Sequence, residues 1–485
     1  ISINKNKIVC GWNDYRGSPG YVTVGCTYSQ DAGTTWGDNL FPARGLMADS
    51  NQGDPVIDFG NGDTVFFVFI SFNTGSFTGD LGFCKSFDGG KTWTTPMNLT
   101  NTPSDLDDKP WMSVYGDTIF IAWDVYSSGY GVYLIKSTNG GNTFSSRVFL
   151  TSSGMAPIPR KARGDTVYVV WTYDYPQNPS YDYGIWLKKS QDGGNSFTSQ
   201  RHVADFNYQS ILPWRDYVLP SFDVDRNNGY LYVVYHSADP SYTNFDVYFT
   251  RSQDGGLSFS PPQRLNIITQ GNQFFPSVSV DDSGYVHVVW YDTRKGTDSL
   301  ELYYRVSKDF GQNFSNEIKV TDRARKPYRS NFIGDYIEVC AKNYIIGTDF
   351  CHSDVSYTSD DIWFARLKRD KVPPSVSIIF PNGGEILYTG DTVDVKFNLY
   401  DNSGISFIYF FYSLDGGNSF IKIDSISHFD TLYKWIVPDT TSNSALFRVD
   451  VRDYVWNFSF DESDTIFSII KTEVREKFVE KKKDL

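Results

Sequence analysis

Tyr336 and Glu338 stand two residues apart in the run Asp335-Tyr-Ile-Glu-Val-Cys340. On an extended strand that spacing turns both side chains to one face. A phenol beside a carboxylate can serve as a nucleophile with its base, and Asp54 or Asp108 could add the acid that glycosidic cleavage requires. The competing reading is a buried tyrosine beside a solvated or paired glutamate. Two other segments, Trp12-Asn-Asp14-Tyr-Arg16 and Trp290-Tyr-Asp292-Thr-Arg294, nearly repeat one another. An Asp and an Arg two residues apart could bind a sugar hydroxyl or carboxylate bidentately, or could simply close their own loop as a salt bridge. Trp111, Arg215 and Asp335 complete the set of ligand-binding candidates.

A repeat must position these groups. Six segments read S-x-[DN]-x-G-x-[TSN]-[WF], with the acid or amide at Asp31, Asp88, Asn139, Asp192, Asp254 and Asp309. Successive spacings of 57, 51, 53, 62 and 55 residues suit one four-stranded sheet plus loops per repeat. A short carboxylate or amide accepts backbone N–H bonds inside a tight turn. Glycine permits positive φ there, and the closing Trp or Phe is expected to start the next strand. These side chains read as structural. Alternating, β-branched and aromatic runs around each segment read as strands. Units begin near residues 1, 54, 109, 155, 218, 275 and 331, which predicts an all-β propeller over 1–368 with seven blades, or six if one weak unit is a turn. In such a ring the inner strands start at the mouth of a central channel. Asp54, Asp108, Lys109, Trp111, Arg215, Asp216, Asp335 and Tyr336 belong there. The loops leaving the second strands add Asn13, Asp14, Arg16, Asp124, Asp174, Asp292 and Arg294.

The charge balance narrows the partners. With 44 Lys and Arg against 57 Asp and Glu, the net charge is −13, which repels nucleic acid and anionic lipid. No apolar run is long enough to span a membrane, so no membrane insertion is expected. The chain starts at Ile1 with no leader pattern, which does not argue for a cytosolic protein. Carboxylates converging on one channel make Ca²⁺ the one cofactor the sequence admits. No contiguous D-x-D-x-D-G loop names its ligands. The five cysteines contain no C-x-x-C pair, and five scattered histidines suggest neither a metal nor a triad. Cys10 and Cys26 flank a hairpin and could face each other, with buried free thiols as the alternative.

Residues 369–374 carry charge and two prolines and read as a linker. Seven short strands over 375–470 then suggest an immunoglobulin-like β-sandwich, with Trp435 as a core anchor. A seventh copy of the turn motif, centred on Asp415, lies inside it. Residues 471–485 form a Glu/Lys-rich tail, read as solvated.

The six motifs, together with Gly53-Asp-Pro-Val56, Asp108-Lys-Pro-Trp111 and Ile333-Gly-Asp-Tyr336, resemble the sialidase-like Asp-box (BNR repeat) superfamily of bacterial β-propellers over 1–368. Pro381-Asn-Gly-Gly-Glu385 is similar to immunoglobulin-like modules that trail secreted bacterial proteins. The superfamily holds sialidases, other glycoside hydrolases and glycan-binding proteins, and fold alone does not choose among them. Sialidases carry their first substrate arginine in Phe/Tyr-Arg-Ile-Pro. This chain lacks that motif, and Ile158-Pro159-Arg160 has the wrong order, which weighs against sialidase activity. The resemblance therefore implies a secreted or cell-surface protein whose channel-mouth loops bind a glycan or a cell-surface protein, with the sandwich as spacer. The alternatives are an exo-acting glycoside hydrolase of sialidase-like type and a structural subunit of a surface assembly.

Overall fold

The computed structural model describes residues 1–18, 21–41, 51–73, 78–102, 104–127, 130–173, 184–296, 299–327, 333–342, 345–353, 360–368, 372–401, 405–426, 430–453 and 457–471. Asp174, residues 369–371 of the linker, residues 472–485 of the tail and the side chain of Arg16 lie outside them. The described residues are all-β, and none of them forms a helix long and apolar enough to cross a membrane.

The chain divides into two compact units, Ile1–Lys368 and Arg369–Leu485. Seven antiparallel meanders make the first, a β-propeller. Blade I is β1 (Ser2–Asn4), β2 (Lys7–Ser18) and β3 (Tyr21–Ser29). Blade II is β4 (Asn51–Phe59), β5 (Val65–Asn73), β6 (Thr78–Ser86) and β7 (Met97–Asn98). Blade III is β8 (Asp105–Tyr115), β9 (Thr118–Ser127), β10 (Gly131–Ser137) and β11 (Val148–Thr151). Blade IV is β12 (Met155–Lys161), β13 (Val167–Tyr173), β14 (Gly184–Ser190) and β15 (Arg201–Asp205). Blade V is β16 (Ser221–Val224), β17 (Leu231–Ala238), β18 (Phe245–Ser252) and β19 (Gln263–Arg264). Blade VI is β20 (Gln273–Val280), β21 (Val286–Asp292), β22 (Glu301–Ser307) and β23 (Ile318–Lys319). Blade VII is β24 (Glu338–Lys342), β25 (Ile345–Ser353) and β26 (Asp360–Lys368).

The repeated turn forms as its residue types dictate. In blade I, Ser29 Oγ donates to Asp31 Oδ1 at 2.8 Å and accepts from Gly33 N at 2.8 Å. Asp31 Oδ1 accepts from Thr35 N at 2.8 Å, and its Oδ2 accepts from Thr35 Oγ1 at 2.6 Å. Asn139 does the same with its Oδ1 and donates Nδ2 to Thr143 Oγ1 at 2.9 Å. The closing aromatic does not start the next strand. It lies in unpaired backbone and packs outward, Trp36 on Phe364, Phe144 on Phe83 and Phe314 on Phe249.

Each turn is also an acceptor for the preceding blade. Gln30 donates to Gly89 O at 3.4 Å, Lys85 to Gly140 O at 3.0 Å, Lys136 to Gly193 O at 2.7 Å and Lys189 to Gly255 O at 3.4 Å. Arg251 donates to Phe310 O. Arg366 of blade VII donates to Ala32 O of blade I at 2.8 Å and closes the ring. Nearer the axis, inner-strand N–H groups that would otherwise be unpaired donate to the blade before. Val114 N meets Asp58 Oδ2 at 3.0 Å, Lys161 N meets Ser113 Oγ at 3.1 Å, and Val339 N meets Ser277 Oγ at 3.0 Å.

All five cysteines are free. Register explains why Cys10 and Cys26 stay buried free thiols: Cys10 pairs with Thr27 and Gly11 with Cys26, so the two thiols point to opposite faces.

The second unit is two sheets. One runs β27 (Ser375–Phe380), β29 (Thr392–Tyr400), β32 (Leu432–Ile436). The other runs β28 (Ile386–Tyr388), β35 (Phe467–Ile470), β33 (Ser442–Asp453), β30 (Ile405–Ser413), β31 (Ile421–Ile426), with β34 (Phe458–Glu462) also on β33. Trp435 is buried in its core against Phe447, with ring centroids 5.0 Å apart. The turn at Asp415 repeats the propeller geometry, Ser413 Oγ donating to Oδ1 at 2.7 Å.

Candidate functional site

The inner strands of blades II, III, IV and VI share a local device. The residue before a proline takes a left-handed conformation: Asp54 at φ 48°, Lys109 at 45°, Ala156 at 51° and Phe275 at 46°. A bulge falls at each, between Gly53 and Val56, Asp108 and Trp111, Met155 and Ile158, and Phe274 and Ser277. A non-glycine residue in this region is strained, and a bulge re-aims its side chain. Cross-blade bonds hold the strain in place: Asp54 N donates to Asn13 Oδ1 and Ala156 N to Asp124 Oδ1, each at 2.9 Å.

Two of these bulged residues, Asp54 and Lys109, meet, and Asp335 and Arg215 join them. Its ammonium donates to Asp335 Oδ2 at 3.0 Å and lies 3.7 Å from Asp54. Arg215 grips Asp335 with both Nε and Nη2 and lies over the Tyr217 ring at 5.6 Å. Blades II, III and VII and the entry to blade V thus contribute to one ion cluster. Burial alone would raise Asp335, but Lys109 and then Arg215 outweigh it and hold the carboxyl below its usual range. For Asp54 burial wins over Lys109 and lifts it to about 6. Asp108 and Asp124 sit directly opposite each other on β8 and β9. Asp124 is buried with Oδ2 unpartnered, and burial followed by the Asp108 charge pushes it well up.

Trp111 and Tyr336 pack together beneath the cluster, centroids 5.3 Å apart. With Leu219 and Phe275 they leave a void of about 10 Å³, roughly the room of one water. Burial, then the Asp54 charge, holds the Tyr336 phenol protonated well above its ordinary range.

Tyr336 and Glu338 are not brought together as a couple. Tyr336 precedes β24 and faces Trp111, whereas Glu338 opens the strand and accepts from the amino nitrogen of Ile1 at 2.8 Å. Of the Asp–Arg candidates, Asp14, Asp292 and Arg294 have partners within their own blade. Asp14 accepts the Trp12 indole N–H at 2.8 Å. Arg294 pairs with Asp292 at 2.6 Å and Glu317 at 2.7 Å, over the Tyr303 ring at 3.8 Å. Among the described residues no group of three His, Cys, Asp or Glu side chains is placed to hold a metal ion. The turn residues Asp31, Asp88, Asn139, Asp192, Asp254, Asp309 and Asp415 all accept bonds inside their own turns. Ser196 hydrogen bonds hold Asp192 well below the carboxylate range.

Lys109, which the sequence placed at the mouth without a role, is the hub of the cluster. The signal was present as a repeated x-Pro step: Asp54-Pro, Lys109-Pro, Ala156-Pro, Leu219-Pro and Phe275-Pro.

No protein-family model matches the chain, and no curated protein matches it in sequence. Solved structures that it resembles include a protein of unknown function from Dyadobacter fermentans DSM 18053, 14% identical over 65% of this chain and 94% of that one, with a TM-score of 0.45. Another is Hadza microbial sialidase Hz136, at 12% identity over 71% and 74%, TM-score 0.41. A third is the alpha-L-arabinanase of Penicillium chrysogenum complexed with arabinobiose, at 12% over 65% and 92%, TM-score 0.43.

Proposed function

We propose that the first unit is a secreted or cell-surface propeller of the Asp-box kind that binds a glycan at its channel mouth, with the second, an immunoglobulin-like module, trailing it. One observation carries this reading: the strained, bulged Asp54 and Lys109 of two blades join Arg215 and Asp335 in one charge-balanced cluster. Its Arg215 side chain is 39% exposed. A preorganised set of donors and acceptors beside aromatic rings is suited to hydroxyl groups. Binding is favoured over cleavage because Tyr336 and Glu338 form no couple, Glu338 accepting instead from the Ile1 amino group, and a nucleophile must be activated. A glycan array probed with the full chain and with Arg215→Ala tests it. Binding to at least one glycan, weakened tenfold or more in the variant, is the expected result. An array blank for both proteins would remove the reading.

A second reading, glycoside hydrolysis, is favoured by Asp54, whose carboxyl at about 6 suits a general acid near neutral pH. Turnover of fluorogenic glycosides that falls as pH rises through 6, and vanishes in Asp54→Asn, would establish it.

A further inference from the structure

The outer face of the second unit's larger sheet does not look like a solvated face. An antiparallel sheet with one wet side alternates apolar-in and polar-out, yet β30 carries Phe407, Tyr409 and Phe411 outward while Ile408 and Phe410 are buried inward. Phe458 and Phe460 extend the outer face on β34 and are 39% and 48% exposed. Register sets these rings beside charges: Arg452 lies between Phe407 and Phe458, Asp450 between Tyr409 and Phe460, and Phe411 between Arg448 and Lys422. The Arg448 guanidinium lies 4.1 Å from the Phe460 centroid and is fixed by Asp450 and Glu462. Arg452 lies over Phe458 at 5.2 Å and Lys422 over Tyr409 at 4.8 Å.

From this we infer that the second unit is itself a carbohydrate-binding module, taking a neutral oligosaccharide across Phe458, Phe460 and the Arg448 rung. Apolar ring carbon alternating with fixed N–H donors and carboxylates matches the C–H faces and hydroxyls of a sugar. Asp450 and Glu462 offset two of the three cations on this face, Arg448, Arg452 and Lys422, so it offers little net charge to an ionic ligand. Its size excludes a second copy of the chain. Four strands ~4.8 Å apart and four residues of ~3.4 Å rise span on the order of 200 Å², against about 800 Å² per partner for a stable protein interface.

Affinity electrophoresis of the full chain in gels cast with arabinan, xylan, mannan or hydroxyethylcellulose tests the proposal. At least one polymer is expected to retard migration, with the dissociation constant raised tenfold or more in Phe458→Ala/Phe460→Ala. Circular dichroism and the melting curve of that variant are expected to match the parent, since both rings stand on an exposed outer strand. No retardation by any polymer overturns the proposal. So does retardation that survives the double variant and disappears in Arg215→Ala, which would assign the ligand to the channel mouth. Concentration-dependent dimerisation abolished by the double variant would also overturn it, in favour of a second copy.

Discussion

Asp54 shows what burial does to a single group at the mouth. Its carboxyl is lifted to about 6, above the ~3.9 of an unfolded chain. A raised carboxyl contributes stability that is complete below the unfolded value and is lost as pH rises through the folded one. Asp54→Asn removes that loss, so the variant should be more stable than the parent at pH 8 by about 1–3 kcal/mol, with the gain fading towards pH 4. Urea unfolding at the two pH values measures it. Asp335 behaves oppositely, because it neutralises both Lys109 and Arg215. Removing one partner of a buried pair strands the other charge, and Asp335→Ala should cost about 3–5 kcal/mol in the same assay. The sequence placed both residues at the mouth because inner strands start there. It did not show that Tyr336 and Glu338 part company, since β24 begins only at Glu338. Nor did it show that Asp292 is held by its own neighbour Arg294: a spacing of two fits a ligand clamp and a closed loop equally.

At the scale of elements, the hydrogen bonds of the turn motif were legible, whereas the place of its closing aromatic and its bonds to the neighbouring blade were not. The motif's Ser, Asp, Gly and hydroxyl residues act within eight positions, so local pattern suffices. The Lys85 and Lys136 bonds reach 55 and 57 residues along the chain, about one repeat, and only the stacked blades bring them together. A Lys or Arg immediately before the motif serine, as at Lys85, Lys136, Lys189 and Arg251, is the trace they leave. Asp192→Asn should preserve the turn, because Asn139 already makes it, whereas Asp192→Ala should lower the melting temperature. Lys136→Ala leaves the Gly193 carbonyl without this donor and should cost about 1 kcal/mol. Thermal melts of the three variants order these effects. The missed strands, β28 and β34, are short and flank Pro- and Asn-bearing segments, where alternation has too few residues to register.

The whole molecule adds ring closure, for which no repeat-length rule exists. Arg366 and Ala32 are 334 residues apart, and Phe364 lies against Trp36 at 5.0 Å. Blades I and VII meet through side chains, one carbonyl and the Ile1 ammonium, which pairs with Glu338 and Asp349. Loosening this closure should be felt along the whole propeller and not in the second unit. Two compact units with separate cores should unfold in two steps, since cooperativity is a property of a shared core. Scanning calorimetry of the full chain should show two transitions. Arg366→Ala should shift only the one belonging to the propeller, by roughly 1–3 °C for a loss of ~1–2 kcal/mol over a unit of this size. A Trp435→Ala chain should instead shift only the other. If either variant moved both transitions together, the two cores would be coupled, and the mouth and the aromatic face of the second unit could no longer be treated as independent sites.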